Sequence, residues 1–311
     1  MIIRFFALIL LILHASQSAA GLAEPLFSVP ADIKSRGHVV VEGVVNDRWT
    51  LPLVVDTGAM VALMPVQAPQ RLSIAAENVR SVHTTTASEV SAMASITLDS
   101  ITVGDGRLED VMAVLRDLSM HDTFASAPGV LPFGFLDRYT VHFDLAGGRL
   151  EFYAPDIPMD QLIDRSNYSR VPFERPYGFI RFDLLIDGEA IPAILDTGAG
   201  GLPVINWAAA QKLGVGRDHP ELSEGRDIHG AGHRGLDSAG FAFESVAVGS
   251  VPIAVPRVDI ADMPHFKQLL GEGPAANIGL QQLRGRSLFI NFAASEFYLQ
   301  QAPQAGLTAA E

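Results

Sequence analysis

The chain of 311 residues contains no cysteine, only two tryptophans, and far fewer cationic than acidic residues. Without cysteine it can form neither a disulfide nor a lipid-modified N-terminal cysteine, so its stability has to come from packed cores. Its formal net charge of −13 argues against nucleic acid and anionic membrane surfaces as partners. Beyond Ala20, no apolar run approaches the length of a transmembrane helix.

The first residues have the pattern of a secretory signal peptide. Arg4 precedes an uninterrupted apolar run over 5–13, and small residues follow as far as Ala20. Residues 1–20 are therefore predicted to be a signal peptide, cleaved near Ala20 or Ala23, and the protein to be exported, either periplasmic or secreted. Retention of this segment as an anchor is the weaker alternative, because the apolar run is too short to span a bilayer.

The tripeptide Asp-Thr-Gly occurs twice, at 56–58 and at 196–198, each time after two apolar residues and before an alanine. Similar sequences lead into the two copies. Apolar, β-branched runs at 37–45 and 178–186 are each followed by a predicted two-residue turn of Asn, Asp or Gly, at Asn46-Asp47 and Asp187-Gly188, and by a second apolar run. This pattern predicts a β-hairpin before each copy.

The ends of the two halves also match. Residues 136–144 correspond to 283–291, with the same spacing between first and last residue, and each segment precedes a closing strand, at 149–153 and 296–299. The chain is therefore predicted to contain one unit of about 120 residues, duplicated.

The strand-rich pattern predicts an all-β, two-lobed chain with few short helices. Its lobes are expected at 30–155 and 177–300, with a proline-containing linker at 156–176 and a disordered tail at 301–311. Further strands are predicted at 95–103 and 239–248, and short helices at 66–72, 207–213 and 265–270.

Apolar-apolar-Asp-Thr-Gly-Ala, twice in an all-β chain, resembles the aspartic peptidases. The similarity is greatest to the bacterial retropepsin-like members, with two half-sites fused in one chain, and it covers about 37–299. The resemblance implies an aspartic endopeptidase with a pseudo-twofold between its lobes. It also implies a peptide or protein substrate, activity as a monomer, and no metal or cofactor.

Asp56 and Asp196 are the predicted catalytic pair. Two carboxyls a few ångströms apart do not both ionise readily, so they share one proton. The ionised carboxyl can take a proton from water, and the protonated one can donate to a carbonyl oxygen that is becoming an oxyanion. Because the two titrate as a pair, the residues alone do not assign the acid and base roles.

The resemblance also implies roles for the neighbours of these aspartates. The hydroxyls of Thr57 and Thr197 are expected to reach the opposite loop and lock the two loops together. Gly58 and Gly198 are expected to allow close backbone approach and to donate N–H groups to the carboxylates.

Ala59 and Ala199 stand where other family members have a hydroxyl residue that donates to the aspartate. With one donor fewer, the pair is expected to titrate higher and to favour mildly acidic to neutral pH. Met60 and Gly200, which follow, also depart from the family pattern, where Ser, Thr or Asp is more usual.

An apolar segment ending in glycine passes under each aspartate loop in the family. Asn277-Ile278-Gly279 fits this position in the second half, whereas Val130-Leu131-Pro132, matched by its spacing to Asp144, occupies it in the first. Proline has a ring and lacks the N–H, which is the reason to weigh an inactive, peptide-binding protein of the same fold as the alternative function.

Flaps are expected between each aspartate loop and its underlying segment. The candidate flap residues are Thr84, Thr85 and Thr86 in the first half and Gly230, Ala231 and Gly232 in the second. The first group contains neither the glycine nor the tyrosine of a pepsin-type flap, so the two flaps are expected to differ.

Two simpler interpretations compete with parts of this assignment. Asp-Thr-Gly favours turns by composition alone, but its duplication in register after apolar strands argues against mere turn capping. His229 and His233 have the spacing of a helical metal pair, but the glycines around them favour a loop. No metal site is therefore predicted.

Overall fold

The computed structural model describes residues 23–88, 90–117, 126–230 and 235–301. The predicted signal peptide at 1–20, and all of the predicted tail except Gln301, lie outside the described residues.

Strands dominate both halves of the chain. The first half contains β1 (Phe27–Pro30), β2 (Asp32–Ile33), β3 (Val39–Val45), β4 (Trp49–Val55), β5 (Ala62–Pro65), β6 (Arg80–Thr85), β7 (Val90–Val103), β8 (Gly106–Arg116), β9 (Gly129–Leu131), β10 (Thr140–Asp144) and β11 (Arg149–Tyr153).

The second half begins with β12 (Tyr168–Pro172). It continues with β13 (Arg181–Ile186), β14 (Glu189–Leu195), β15 (Val204–Ile205), β16 (Ser223–Glu224), β17 (Ile228–His229), β18 (Gly235–Leu236), β19 (Ala239–Ala242), β20 (Val246–Val248), β21 (Val251–Pro252), β22 (Arg257–Ile260), β23 (Ala276–Ile278), β24 (Ser287–Asn291) and β25 (Glu296–Gln300).

The described residues include four short α-helices, and the fold class is all-β, as predicted. The helices are α1 (Ala68–Arg71), α2 (Phe133–Leu136), α3 (Trp207–Lys212) and α4 (Pro264–Leu270). Of these, α1, α3 and α4 fall on the three predicted helical segments, and α2 was not predicted.

Each lobe has its own sheet, and the two sheets share a topology. The first has the strand order β2-β3-β4-β9-β5-β8-β7-β6, and the second β16-β19-β22-β15-β23-β14-β13-β20-β21. In both, the strand before Asp-Thr-Gly pairs in parallel with the predicted underlying segment, β4 with β9 and β14 with β23. The strand after the motif then pairs antiparallel to the other side of that segment. The duplication seen in sequence is thus a duplication of connectivity.

A third sheet joins the two lobes. Its strand order is β1-β11-β10-β24-β25-β12, and its central pair is β10 with β24. These two strands lie within 136–144 and 283–291, the segments that match in sequence. They run antiparallel, with Thr140 opposite Asn291 and Asp144 opposite Ser287, so the pseudo-twofold passes between them.

The interval 156–176, expected to be a linker because of its prolines, is packed against this joining sheet. Met159, Leu162 and Ile163 are buried in a cluster with Phe289 and Tyr298. Strand β12 pairs along the whole length of β25. Burial of apolar side chains therefore gives this interval a defined position despite its composition.

The two hairpins that lead to the Asp-Thr-Gly copies form with turns of positive φ. In the second hairpin, Asp187 (φ 49°) and Gly188 (φ 81°) connect Ile186 to its partner Glu189. Such a turn matches the twist of the flanking strands, which is why Asp-Gly is favoured there. In the first hairpin the paired residues are Val45 and Trp49, so three residues rather than two separate them.

Two predicted strands differ from the observed ones. The strand predicted at 95–103 is the second part of the longer β7, because the segment before it pairs with β6. The strand predicted at 239–248 is two strands, β19 and β20. It is interrupted because Phe243 and Ser245 donate their backbone N–H groups to Pro256 and to the Asp187 side chain.

None of the helices within the described residues is long and apolar enough to cross a membrane.

A buried polar network links the lobes within the joining sheet. His142 of β10 is only 9% exposed and stacks on Phe289 with ring centroids 3.9 Å apart. Its Nδ1 lies 2.7 Å from Glu151 Oε2, and its Nε2 lies 2.6 Å from the Ser287 hydroxyl. The Tyr153 hydroxyl also donates to Glu151 Oε2, at 2.8 Å. These bonds, led by that from His142, lower the pKa of Glu151 to about 2.

This lowered pKa makes stability depend on pH. An acid whose pKa is lowered in the folded state stabilises the fold above its ordinary pKa, and that stabilisation is lost as pH falls towards the folded pKa. Between about pH 5 and about pH 2, the free energy of unfolding should fall by about 1–2 kcal/mol through Glu151, after allowance for its partial exposure. Urea denaturation of wild type and Glu151→Gln should show a shallower pH slope in the variant. Glu42→Gln, which changes an exposed strand residue, should keep the wild-type slope; equal slopes for all three would contradict the assignment.

Candidate functional site

The two aspartates occupy equivalent places at the ends of equivalent strands. Asp56 directly follows β4, and its N–H donates to Leu131 O at 3.1 Å. Asp196 directly follows β14, and its N–H donates to Ile278 O at 3.0 Å. The predicted underlying segments thus hold each aspartate backbone from below.

Thr57 and Thr197 connect the two loops by a reciprocal set of hydrogen bonds. Thr57 Oγ1 donates to Leu195 O at 2.8 Å and accepts from Thr197 N at 3.0 Å. In the same way, Thr197 Oγ1 donates to Val55 O at 2.7 Å and accepts from Thr57 N at 3.0 Å. Both threonines are fully buried, so each bond lies where water does not compete.

Gly58 and Gly198 bring each backbone against the opposite carboxyl. The Gly58 N–H donates to Asp56 Oδ1 at 2.7 Å, and the Gly198 N–H to Asp196 Oδ1 at 3.0 Å. A Cβ at Gly58 would lie 2.6 Å from Asp196 Cγ, and one at Gly198 would lie 2.2 Å from Asp56 Cγ. Any larger residue would therefore force the two carboxyls apart.

The site keeps a proton on the carboxyl pair. Burial raises the pKa of Asp56 well above its ordinary value, and so do the negative charge of Asp196 and a hydrogen bond between the two carboxyls. The N–H groups of Gly58 and Gly198 oppose this shift. Asp56 therefore stays protonated at pH values where an isolated aspartate is ionised.

The two underlying segments differ where sequence analysis noted a proline. A Cβ at Gly279 would lie 1.9 Å from Ala199 O, so the second half admits only glycine. In the first half, Pro132 has φ −77°, close to the value that its ring imposes. Phe133, the next residue, donates its N–H to Ala59 O at 2.8 Å. The first loop is therefore supported from below with Pro132 in an unstrained conformation.

Asn277, which the sequence placed in the second underlying segment, also contacts the site through its side chain, a contact that was not predicted. Its Nδ2 donates to Asp196 Oδ2 at 3.0 Å, on a strand where the side chain is 5% exposed. Ala199, like Ala59, has no hydroxyl to offer. The sequence did contain a signal for this contact. An amide side chain in an otherwise apolar, buried strand needs a polar partner.

Two histidines also lie close to Asp196. His38, which is 6% exposed, has Nε2 3.1 Å from Gly198 O. Burial lowers its pKa, although the Gly198 carbonyl and the charge of Asp196 act in the opposite direction. Burial likewise lowers the pKa of His265, again opposed by Asp196. Both imidazoles are therefore neutral at neutral pH.

The predicted flap residues that the structure describes belong to two hairpins, which approach each other at Ala87 and Gly230. Thr84 and Thr85 end β6, and Thr86 begins the turn that leads to β7. Gly230 follows β17 and approaches Ala87 so closely that a Cβ added to it would lie 2.8 Å from the Ala87 Cβ. The other candidates in the second flap, Ala231 and Gly232, lie outside the described residues, as does His233.

Within the ranges that the structure describes, no group of three or more His, Asp or Glu side chains has the arrangement of a metal site. The groups that donate hydrogen bonds to Asp56 and Asp196 are the N–H groups of Gly58 and Gly198 and the amide of Asn277. Such an arrangement can hold a shared proton and transfer protons to and from a bound molecule.

A model of the family described as gag-polyprotein putative aspartyl protease matches residues 41–125, an interval that includes only the first Asp-Thr-Gly copy. Among solved structures, a retropepsin-like aspartic protease from Rickettsia conorii matches with a TM-score of 0.32 and 19% identity. The match covers 41% of this chain and 89% of that chain. A search of curated proteins found no match.

The reciprocal threonine bonds make a testable contribution to stability. Thr57→Val should lower the free energy of unfolding by about 2–4 kcal/mol, because it leaves the Thr197 N–H and the Leu195 carbonyl buried without partners. Thr57→Ser keeps the hydroxyl and should cost only about 1 kcal/mol for the lost methyl group. Urea denaturation measures both, and equal losses in the two variants would argue against the lock.

Proposed function

We propose that this chain is a retropepsin-like aspartic peptidase and that it hydrolyses internal peptide bonds with a water molecule held between Asp56 and Asp196. The observation that carries the proposal is the close approach of the two carboxyls. Each lies against the glycine of the opposite loop, and reciprocal threonine bonds hold the loops together. The raised pKa of Asp56 agrees with a proton shared by this half-buried pair.

The chemistry needs one ionised and one protonated carboxyl. The ionised carboxyl takes a proton from the water molecule while the water oxygen bonds to the carbonyl carbon of the substrate. The protonated carboxyl gives its proton to the carbonyl oxygen, which yields a neutral gem-diol. Proton transfer to the amide nitrogen and loss of a proton from the diol then break the C–N bond, giving an acid and an amine. No covalent enzyme intermediate forms.

An extended peptide is the proposed ligand. The hairpins β6–β7 and β17–β18, one from each lobe, approach each other at Ala87 and Gly230. We propose that a peptide binds beneath these hairpins and adds its backbone to strand edges.

Two further parts of the proposal rest on the sequence. Residues 1–20 support export to the periplasm or the exterior, because they have the pattern of a signal peptide. The presence of both half-sites in one chain supports activity as a monomer, since no second copy is needed to complete the carboxyl pair.

Cleavage of a diverse peptide pool by the mature chain, from about pH 3 to about pH 8, tests the activity. Asp56→Asn and Asp196→Asn should each lower the cleavage rate by about 10³-fold or more, since each removes one half of the proton transfer. Asp183→Asn changes an exposed aspartate on the neighbouring hairpin and should cleave like wild type. Activity should peak at mildly acidic to neutral pH, and a peak below about pH 3.5 would contradict the raised pKa.

The alternative is an inactive protein of the same fold that binds peptides, which Pro132 and the unlike flaps motivate. This alternative predicts that folded wild-type protein binds peptides but cuts none. It also predicts that the Asp56→Asn and Asp196→Asn variants bind the same peptides equally well. Cuts that are lost in both variants would exclude it.

Monomeric activity makes a separate prediction. Because one chain supplies both aspartates, the specific activity should stay constant over about a hundredfold dilution. Light scattering on the same samples gives the mass in solution. A specific activity that falls with dilution would show that a second chain is required.

A further inference from the structure

We propose that Asn277 is a positioning residue that places the negative charge of the carboxyl pair on Asp196 and its proton on Asp56. The inference deepens the proposed function and rests on it for its catalytic consequence. In a symmetric pair the two protonation states would be equivalent, so a choice between them requires a group that differs between the half-sites.

The contact to Asp196 is directional. The Asn277 amide donates to Oδ2, whereas the Gly198 N–H donates to Oδ1, so both oxygens of Asp196 accept a hydrogen bond. Hydrogen bonds donated to a carboxylate favour its charged form. The other end of the amide, Asn277 Oδ1, is buried and has no partner within the described residues. The amide is thus held with its donor end towards Asp196 at the cost of an unpaired oxygen.

Strand register identifies the counterpart of Asn277 in the first half. On β14 and β23, Ile194 lies opposite Asn277. On β4 and β9, Val54 lies opposite Val130. Val130 therefore occupies the equivalent place beneath Asp56, and its side chain has no hydrogen-bond donor. The threonine and glycine contacts are repeated in both half-sites, whereas the amide contact exists on one side.

Asp56, His38 and His265 interact electrostatically with Asp196, and none of them opposes this assignment. Asp56 is the partner carboxyl, and its raised pKa agrees with a proton held there. His38 and His265 are the nearby bases, and burial lowers the pKa of each. They are uncharged at neutral pH, and on protonation at lower pH they too would favour a negative Asp196. Variants therefore have to be compared with both histidines intact.

The assignment gives each carboxyl a defined role. Asp196 takes the proton of the attacking water, and Asp56 gives its proton to the substrate's carbonyl oxygen. As Asp196 gains the water's proton, its bond to Asn277 weakens, so the amide favours the state before the attack. Asn277 therefore extends ionisation of the pair to lower pH and moderates the strength of the base.

The test is Asn277→Leu, which keeps the approximate volume and removes the donor. The acidic limb of the pH profile of kcat/KM should move up by about one pH unit, because a hydrogen bond to a charged group is lost. If the leucine variant does not fold, Asn277→Ala tests the same loss. The double variant Val130→Asn/Asn277→Val moves the amide beneath Asp56 and should reverse the assignment.

A second readout does not require activity. In protein labelled with ¹³C at aspartate Cγ, Asp196 should ionise at lower pH than Asp56, with the two signals assigned by their loss in Asp56→Asn and Asp196→Asn. The difference between the apparent pKa values of Asp56 and Asp196 should be smaller in Asn277→Leu and should have the opposite sign in the double variant.

A control separates this role from general loss of a buried amide. Asn206 is also buried, and its Oδ1 accepts from the N–H groups of Ala209 and Ala275. Asn206→Leu should lower the melting temperature without moving either titration or the acidic limb.

The outcomes distinguish the inference from the function on which it rests. A folded Asn277→Leu variant could cleave more slowly while the titrations of Asp56 and Asp196 and the acidic limb of the pH profile stay unchanged. That result would overturn the positioning role and leave the proposed peptidase activity intact. Wild-type protein that cleaves nothing would overturn the proposed function, and the carboxyl titrations would then decide on Asn277 alone.

Discussion

The reciprocal hydrogen bonds between Thr57 and Thr197 are the contact on which the rest of the site depends. Each threonine hydroxyl donates across the lobe interface to the last residue of the opposing strand and accepts the opposing threonine's N–H. These groups have no water available, so breaking the contact would leave several of them unpaired at once. The backbones of the two loops are therefore held against each other, and this contact brings the two carboxyls close together.

Holding the two carboxyls close together costs free energy, and the surrounding residues offset that cost. Two carboxyls in a partly buried position raise the free energy of the ionised pair, and the shared proton reduces this cost. The glycine N–H groups stabilise the charge that remains. The joining sheet, with β10 and β24 at its centre, keeps the lobes in register so that the loops meet. The free energy gained by forming the sheets thus offsets the cost of holding the two carboxyls close together.

The two half-sites share one backbone arrangement but differ in particular side chains. The locking threonines and close-packed glycines are repeated, because both loops face the same geometric demand. Asn277 and Val130 occupy equivalent positions but differ in polarity, and Gly279 and Pro132 differ in backbone freedom. Such a difference can assign the acid role to one carboxyl and the base role to the other. Fusion of two half-sites in one chain permits it, since each half can be substituted independently.

Much of this protein was determined by the sequence alone. The all-β class, the duplication and the two Asp-Thr-Gly loops follow from local patterns, because alternation, turn residues and repeats act over short stretches of chain. Composition did not show that the predicted linker at 156–176 is packed, because Met159 and Ile163 find an apolar surface only in the folded sheet.

The tertiary structure decided what depends on contacts between distant residues. The Asn277 amide reaches Asp196 across 81 positions of sequence, and the threonine bonds span 138 to 142. No local pattern encodes which buried polar group meets which partner, because that is settled by strand register and by the packing of one lobe against the other. The sequence therefore determined which residues could perform the chemistry. The fold decided how they differ from each other, because a carboxyl's proton affinity depends on the donors and charges around it.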